Sequence, residues 1–454
     1  MRKPVWALLF TLQIVVGVMA TLLAVGCREK PAQGDSLVED AAESSPDNAS
    51  AAQDDREAPQ RNRGRKRGDR TRGRSKSRLD DIGYVGYADE SAADDESGVV
   101  VNDPQRSYPG YNLVTFVKPR RAELIDSAGK LVNVWHQGDT GQWERSVLLD
   151  NGDLLVVSFT NPHSLLRLTW DNEVVWTREG MWHHDVTQTP DGTLAALLWA
   201  YRRVPAIHAE IDIMDSIISR FSPESEADER RSLYDVLAAR PDMFTFGKGR
   251  RRQASEGRKE RIDLIHANSL RWIEITDPPT DSPIYQAGNV IVCLRHQDTV
   301  VIFNWETSEL LWVWGRGEVV GPHDAQVLAN GNILIFDNGS RENKRSRVVE
   351  VDPLTKKMVW KYEAPNPRDF YSTARGGNQR LPNGNTLITE SNEGRAFEVT
   401  PEGEIVWKYY GTHRDEKSRL AAINRCYRYE TAMVQGLLDR FGGQVNPTEE
   451  PETE

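Results

Sequence analysis

Leu328-Ala-Asn-Gly-Asn-Ile-Leu334 and Leu381-Pro-Asn-Gly-Asn-Thr-Leu387 read as one tight turn set between apolar residues. Asn and Gly tolerate positive φ, so Asn-Gly flanked by apolar alternation is a hairpin signal. Leu148-Leu-Asp-Asn-Gly-Asp-Leu-Leu155 and Thr189-Pro-Asp-Gly-Thr-Leu194 carry the same turn, and Gln286-Ala-Gly-Asn-Val290 is a degenerate copy. A second pattern alternates with the first and ends in Val-Trp or Leu-Trp, at Trp135, Trp176, Trp312, Trp360 and Trp407. Each full repeat therefore holds two hairpins, or four strands. The turn glycines Gly152 and Gly192 stand 40 residues apart, and Gly331 and Gly384 stand 53 apart. Four-stranded units at such periods predict a β-propeller.

Five units run from about Trp143 to Gly411. Strand-like pieces are left over at both ends, Tyr111 to Trp135 and Ala421 to Tyr429. Together they predict a sixth blade in which the C-terminal strand pairs with N-terminal ones, closing the ring and removing an open sheet edge. The expected fold is an all-β, six-bladed propeller over residues 109–435. The gap between Gly192 and Gly288 predicts a helical and basic insertion over about 202–261. Ile207, Ile211, Met214, Ile218 and Phe221 fall near helical spacing there, and Leu233, Val236 and Leu237 mark a second short helix. Lys248 to Arg261 then packs seven basic residues into fourteen.

The whole chain has 454 residues, 57 Lys and Arg against 68 Asp and Glu, a net charge of −11, and 38% hydrophobic residues. That average mixes two populations. Residues 28–108 hold 32 charges but only Leu37, Leu79 and Ile82 among Leu, Ile and Phe, whereas twelve of the 13 Trp lie between Trp135 and Trp407. A stretch so poor in apolar area cannot offset chain entropy, which predicts a disordered charged linker over 28–108 and a disordered acidic tail over 436–454. The acidic balance argues against a nucleic-acid binder, which needs a basic footprint. Three cysteines exclude a disulfide-built scaffold, and Cys293 and Cys426 are expected as buried thiols.

Met1-Arg-Lys followed by an uncharged, mostly apolar run to Gly26 reads as an export signal or a single-span anchor. Cys27 after Leu23-Ala-Val-Gly26 resembles the lipobox of bacterial lipoproteins, which implies lipidation at Cys27. Either reading of residues 1–27 places the bulk of the chain in the bacterial cell envelope, membrane-anchored and facing the periplasm or the outside.

The nine histidines are not scattered. In three units a His leads into the first strand: His183-His184-Asp185, His266-Ala-Asn268 and His323-Asp324. His184 precedes Gly192 by eight residues, and His323 precedes Gly331 by eight. The same offset gives Glu144 before Gly152 and Gly376 before Gly384. First strands line a propeller's channel, so these positions converge on its axis. Imidazoles there supply acid, base, nucleophile or ligand chemistry near neutral pH. His296, in Leu294-Arg-His-Gln-Asp298, and Arg341, after Phe336-Asp-Asn-Gly339, belong to the same candidate layer.

Taken together, Leu264-Ile-His266-Ala-Asn268-Ser269, Arg295-His-Gln-Asp298, His323-Asp-Ala-Gln326, Phe336-Asp-Asn-Gly339 with Arg341, and Arg425-Cys-Tyr-Arg-Tyr429 resemble the bacterial arylsulfotransferases, the PAPS-independent aryl-sulfate sulfotransferases. The resemblance covers about residues 108–435. It implies a six-bladed propeller that moves a sulfuryl group from an aryl sulfate ester to a phenolic acceptor through a sulfated His, with no cofactor. It implies catalytic roles for His266, His323 and Arg341, and substrate binding by His184, Asn268, His296 and Asn338. The sulfated His is expected in a later blade, yet Phe370 to Gln379 holds none, which leaves His413 in Gly411-Thr-His-Arg414 as the fourth catalytic candidate. Two other readings of the same residues stay open. One is a non-catalytic envelope propeller binding sulfated or acidic ligands. The other is a His-cluster metal site, completed by Asp185 or Asp324 and suited to Zn or Cu, although no compact HxH or HExxH spacing accompanies it.

Overall fold

A computed structural model describes residues 86–88, 96–138, 140–223, 225, 227–254, 259–340 and 342–443. Residues 1–27, read above as an export signal or anchor with Cys27, the expected linker up to residue 85, Arg341, and the end of the expected acidic tail from residue 444 lie outside the described residues.

Along the chain, β1 (Gly98–Asn102) is followed by β2 (Tyr111–Phe116), β3 (Arg121–Ile125) and β4 (Leu131–His136). A complete four-stranded sheet comes next: β5 (Gln142–Leu148), β6 (Leu154–Phe159), β7 (Ser164–Leu168) and β8 (Val174–Glu179). The third blade is built from β9 (Trp182–Gln188), β10 (Leu194–Arg202) and β11 (Asp212–Phe221). Its outer place is shared by β12 (Asp228–Ser232), after which come α1 (Leu233–Ala238), β13 (Arg250–Arg252) and β14 (Arg261–Asp263). Two regular sheets follow. One holds β15 (Ala267–Trp272), β16 (Asn289–Leu294), β17 (Thr299–Asn304) and β18 (Leu310–Trp314), the other β19 (His323–Val327), β20 (Ile333–Asp337), β21 (Arg347–Asp352) and β22 (Lys357–Tyr362). The sixth has β23 (Gly377–Arg380), β24 (Thr386–Glu390), β25 (Arg395–Val399) and β26 (Ile405–Tyr410). Last come β27 (Ile423–Tyr429) and α2 (Thr431–Phe441).

β27 pairs antiparallel with β2, Tyr111 opposite Tyr429 and Val114 opposite Cys426, and completes the first blade in the order β27-β2-β3-β4. The innermost strands β5, β9, β15, β19, β23 and β27 each touch the next, and β27 touches β5 again. The ring is closed, six-bladed, and closed by the two ends that the sequence left over.

The repeated turn sets this geometry. Gly331 has φ +84°, and a Cβ there would stand 2.5 Å from Pro279 Cγ, so glycine is required on both counts. Leu328 N–H donates to the Asn332 carbonyl and Gly331 N–H to that of Leu328; the same pair of bonds recurs after Leu149, Thr189 and Leu381. The Trp pattern has a separate role. Four of the five indole N–H groups reach from the fourth strand of one blade to a turn of the next: Trp135 to the Thr169 carbonyl, Trp312 to Pro353, Trp360 to Pro401 and Trp407 to Ser127. A large buried ring with one polar tip suits that task, filling the inter-blade core while satisfying a turn carbonyl.

Three expectations are corrected. The segment around Ile211 to Phe221 is strand β11, not helix. It is buried along nearly its whole length between two neighbours in the sheet, and a strand buried on both faces has no alternation to distinguish it from a helix. The short helix at Leu233, Val236 and Leu237 does form, with Ser232 capping it by accepting Asp235 N–H. At the linker boundary, β1 adds a fifth strand to the sixth blade by pairing with β26. The Val99-Val-Val101 run is the β-branched signal for it. At the C-terminus, residues 436–441 are helical in α2, whose Val434 and Leu437 are buried and whose Phe441 stacks on Trp170.

Cys293 and Cys426 are buried free thiols, and burial pushes both up to about 12. They are inert packing groups at neutral pH.

Arg428 on the closing strand ties the ring together. Its guanidinium pairs with Glu398 of β25, donates from Nε to Asn112 Oδ1 (2.9 Å) and from Nη1 to the Tyr108 carbonyl (2.7 Å). Both side chains of the ion pair are almost wholly buried. Arg428→Met strands the Glu398 carboxylate, and chemical unfolding should show a loss of about 3–5 kcal/mol. Adding Glu398→Gln should restore much of that loss.

Candidate active site

Each of the innermost strands of the first five blades bends at the same level. Register shifts in the pairing leave Glu144 extra in β5, His184 and Asp185 in β9, Asn268 in β15, Asp324 and Ala325 in β19, and Asn424 in β27. In the sixth blade the corresponding residue, Arg375, sits just before β23. His184, His266, Asp324 and Arg375 all hold positive φ between 49° and 59°. Bulges re-aim side chains, and here they aim one from each blade at the axis. Glu144, His184, Asn268, His323, Arg375 and Asn424 line one pocket, joined by Arg425. It is narrow, with about 210 Å³ of unfilled space counting its mouth. A pocket of that size suits a compact terminal group better than an aromatic ring.

His323 donates from Nδ1 to the Gly321 carbonyl (2.8 Å), because a carbonyl can only accept. His266 stands above β15 with Nδ1 2.7 Å from Asp263 Oδ2, forming a buried carboxylate–imidazole dyad. His296 stacks on His266 at 4.4 Å and donates Nδ1–H to the Asp263 carbonyl (2.9 Å). His184 lies 4.9 Å from His266, ring centroid to ring centroid, and its Nδ1 faces both His183 Nδ1 (3.1 Å) and Glu144 Oε2 (3.2 Å). Asn268 donates to the Pro322 carbonyl, the residue before His323.

Burial is the largest influence on every imidazole of this cluster. It pulls His183, His184 and His323 well below the ordinary range, and neighbouring cationic or ionisable groups push the same way: His266 for the first two, Arg295 and Arg425 for His323. Burial takes His296 down to about 3. His266 is lowered too, but Asp263 opposes the shift. The carboxyl of Asp263 is itself disfavoured by burial, yet His266, His296 and Arg252 outweigh that and hold it far below the usual carboxylate range.

One step further along the inner strands, charges cross the channel. The Arg145 and Arg271 guanidiniums both lie over the Tyr427 ring, at 4.7 and 5.2 Å. Arg145 meets Asp185 at 3.2 Å, Arg271 meets Asp324 at 2.8 Å, and Arg425 stands 3.7 Å from Asp324. Burial lifts the carboxyl of Asp185 above its normal value; at Asp324 the three guanidiniums win and lower it.

Of the residues the sequence singled out, His184, Asn268 and His323 line the pocket, and His266 and His296 stand beside it. Asn338 does not line it. Its Nδ2 donates to the Ser372 and Arg375 carbonyls (2.7 and 2.9 Å), so it holds the backbone that carries Arg375. His413 is a correction. Its Nε2 bonds Glu123 Oε1 at 2.8 Å and its ring meets Phe116 edge-on, and Glu123 belongs to β3, the third strand of its blade rather than the channel strand. Equal sequence distance from a turn marks channel positions, and His413 follows the last strand of the sixth blade instead. Arg375, Asn424 and Asp263 were missed. Arg375 lies one residue before Gly376, the position that the eight-residue offset gives. Asp263 carries no sequence mark beyond its nearness to His266.

Among the described residues, Asp263, His266 and His296 are the group whose ligand atoms come within 4.8 Å of one another as a metal site requires. Both Nδ1 atoms already bond Asp263, and the Arg252 guanidinium donates to Asp263 Oδ2 at 2.9 and 2.6 Å. The cation's place is taken by Arg252, so the geometry favours an oriented imidazole over a metal centre.

The sequence profile of the arylsulfotransferase (ASST) family matches residues 145–412, more than half of the chain. The chain belongs to the arylsulfotransferase family. The matched segment holds His184, His266, Asn268, His323 and Arg375, while Asn424 and Arg425 of the same pocket lie beyond it on the closing strand. No curated protein matches the sequence. Similar solved structures include a protein of unknown function from Bacteroides caccae (14% identity, TM-score 0.45, 70% of this chain and 98% of that one). Others are the Cps50 (Swd1) β-propeller domain of Myceliophteria thermophila (9%, 0.42, 74% and 99%) and periplasmic gluconolactonase PpgL of Pseudomonas aeruginosa (15%, 0.38, 68% and 80%). Likenesses at this level carry no argument about activity.

The buried imidazoles make stability depend on pH. Folded, they are neutral; unfolded, each takes a proton near pH 6.5. Below that pH the unfolded chain binds more protons, so stability falls as pH falls, by about 1.4 kcal/mol per group per pH unit until the folded pKa is reached, near 3 for His296. The thermal unfolding midpoint should drop steeply from pH 6.5 to 5, and less steeply in His183→Gln.

Proposed function

We propose that the chain transfers a sulfuryl group from an aryl sulfate ester to a phenolic acceptor at the six-blade pocket. The observation that carries this reading is the pairing, in one narrow cavity, of the Arg375 and Arg425 guanidiniums with imidazoles kept neutral by burial. A sulfuryl group is compact and anionic, with oxygens that accept charge-assisted hydrogen bonds from guanidinium donors. Those same bonds strengthen as charge spreads over the group in the transition state, where fixed donors in a dry site are most effective. The aromatic ring of the ester stays at the mouth of this narrow pocket.

His266 is suited to the proton work. Asp263 fixes Nδ1 as the protonated nitrogen, leaving Nε2 to take the proton of an acceptor phenol and to return it to the next leaving phenolate. Asp263 also steadies the imidazolium formed in between. No cofactor is needed for this chemistry. On the sequence of residues 1–27, we place the reaction at the bacterial cell envelope, with the chain held to the membrane through its N-terminus.

Purified full-length protein given 4-nitrophenyl sulfate and phenol should release 4-nitrophenolate. Arg375→Gln and His266→Ala should each lower kcat/KM by about 10²–10³-fold. Release no faster than in those variants overturns the reading. Saturable binding of the sulfate ester without turnover would support the alternative, a binding propeller for sulfated or acidic ligands.

A further inference from the structure

Seven basic residues crowd Lys248 to Arg261, and the described ones do not act alike. Arg251 is more than half exposed and bonds His208 Nε2 (3.0 Å) and Glu260 (3.4 Å). Arg261 lies over the Tyr201 ring at 4.8 Å. Arg252 turns inward. β13 runs antiparallel to β14 with Arg252 opposite Arg261, and β14 ends on Asp263, three residues before His266. From that register Arg252 donates to Asp263 Oδ2 from Nε (2.9 Å) and Nη2 (2.6 Å), and the same oxygen accepts His266 Nδ1–H (2.7 Å). Asp263 is fully buried, and among the described residues Arg252 is the permanent cation bonded to it. A buried carboxylate needs a compensating positive charge. With Arg252 supplying it, the His266 ring stays neutral, its Nδ1–H on Asp263 and its Nε2 without a hydrogen-bond partner among the described residues. Without Arg252, the group in direct contact that can supply the charge is His266 itself, by taking a second proton on Nε2. The other groups facing this ring do not replace Arg252. Burial acts most strongly on His266 and disfavours its charged form, Asp263 favours it, and Arg295 and Arg252 oppose it. His296 on the turn after β16, His183 and His184 on β9, and His323 on β19 are kept neutral by burial.

We propose that Arg252 is a positioning residue for sulfuryl transfer: the β13–β14 hairpin sets its guanidinium on Asp263, and through that carboxylate it fixes the ring orientation and the open Nε2 of His266. The inference rests on the sulfuryl-transfer reading above and names what the basic insertion contributes to it. Arg252 acts through Asp263, since both of these bonds end on Oδ2. Asp263 alone makes His266 a stronger base, but one already occupied by a proton at neutral pH. Arg252 tempers that pull, so the lone pair on Nε2 is free when the acceptor phenol arrives. A general base works best when its pKa lies near the working pH. The seven-residue basic cluster therefore contains one residue with a defined task, beside others that decorate the surface. An ion pair that merely holds the hairpin down predicts something different, a loss of activity that is equal at every pH.

The test compares full-length wild type with Arg252→Gln, Arg252→Lys and Arg251→Gln. Ring-labelled histidine is first titrated by NMR without substrate, the His266 signal being identified by its loss in His266→Gln. It should titrate at higher pH in Arg252→Gln than in wild type. Arg252→Lys, which keeps the charge without the planar fork, should lie between the two. The value of kcat/KM for phenol, with 4-nitrophenyl sulfate as donor, is then followed from about pH 6 to about pH 9. Arg252→Gln should lose about tenfold near pH 6.5 and return close to wild type near pH 9, the size expected when a base titrates about one pH unit higher. Arg251→Gln removes the same charge from the hairpin without touching Asp263 and should match wild type. A uniform loss at every pH, an unshifted His266 titration in both Arg252 variants, or an equal shift in Arg251→Gln overturns this inference and leaves sulfuryl transfer standing. Absence of turnover in the wild-type protein overturns transfer itself, and this inference with it.

Discussion

Everything functional in this molecule depends on the pairing of β27 with β2. The closing strand supplies Asn424 and Arg425 to the pocket and Tyr427 to the layer that crosses the channel. An unclosed ring would leave two sheet edges unpaired and the other inner strands without a common axis. The pairing is sealed by Arg428 and Glu398, a buried ion pair spanning the first and sixth blades. Such a pair contributes little net stability over an apolar replacement, but it makes any other register costly. The pocket thus has its geometry set by contacts made at the very end of the chain.

The second constraint is electrostatic. The chain is acidic overall, with a net charge of −11, yet the channel gathers Arg145, Arg271, Arg375 and Arg425 in one region. Asp185 and Asp324 offset part of that charge without reaching the pocket-lining guanidiniums evenly. Burial then removes the protons from the imidazoles. The result is a narrow site that sets guanidiniums beside imidazoles kept neutral by burial. Bulk charge says nothing about such a site, because screening and burial make local charges decisive.

Much of this was legible in the sequence. The Asn-Gly turns and the Trp repeats gave the blade count, and the leftover strands at each end gave the closure. The eight-residue offset placed His184 and His323 at the axis, and it pointed to Glu144. It misses Arg375, which stands one residue before the Gly376 that the offset gives, and it says nothing of Asp263, which precedes the channel strand β15. His413 is the last histidine of the chain, and its imidazole bonds Glu123 away from the channel. The strand β11 carries no strand signature in the sequence because burial on both faces erases alternation. The strand β1 is hard to read from sequence because its three valines follow a long charge-rich stretch and its partner β26 lies about 300 residues away.

By itself the sequence determined the repeat, its period and the turns, since these follow from local backbone preference and side-chain alternation. It determined which positions reach the axis, because strand registry counts residues from a turn. Only the tertiary structure decided what those positions do. Whether an imidazole is acid, base or nucleophile depends on which atom lies beside its second nitrogen. For His323 that atom is a carbonyl oxygen two residues away, for His266 a carboxylate three residues away, and for His184 a glutamate forty residues away. Hydrogen bonds and burial are set by distances in space, and one-dimensional spacing carries them only when the chain folds back on itself at once.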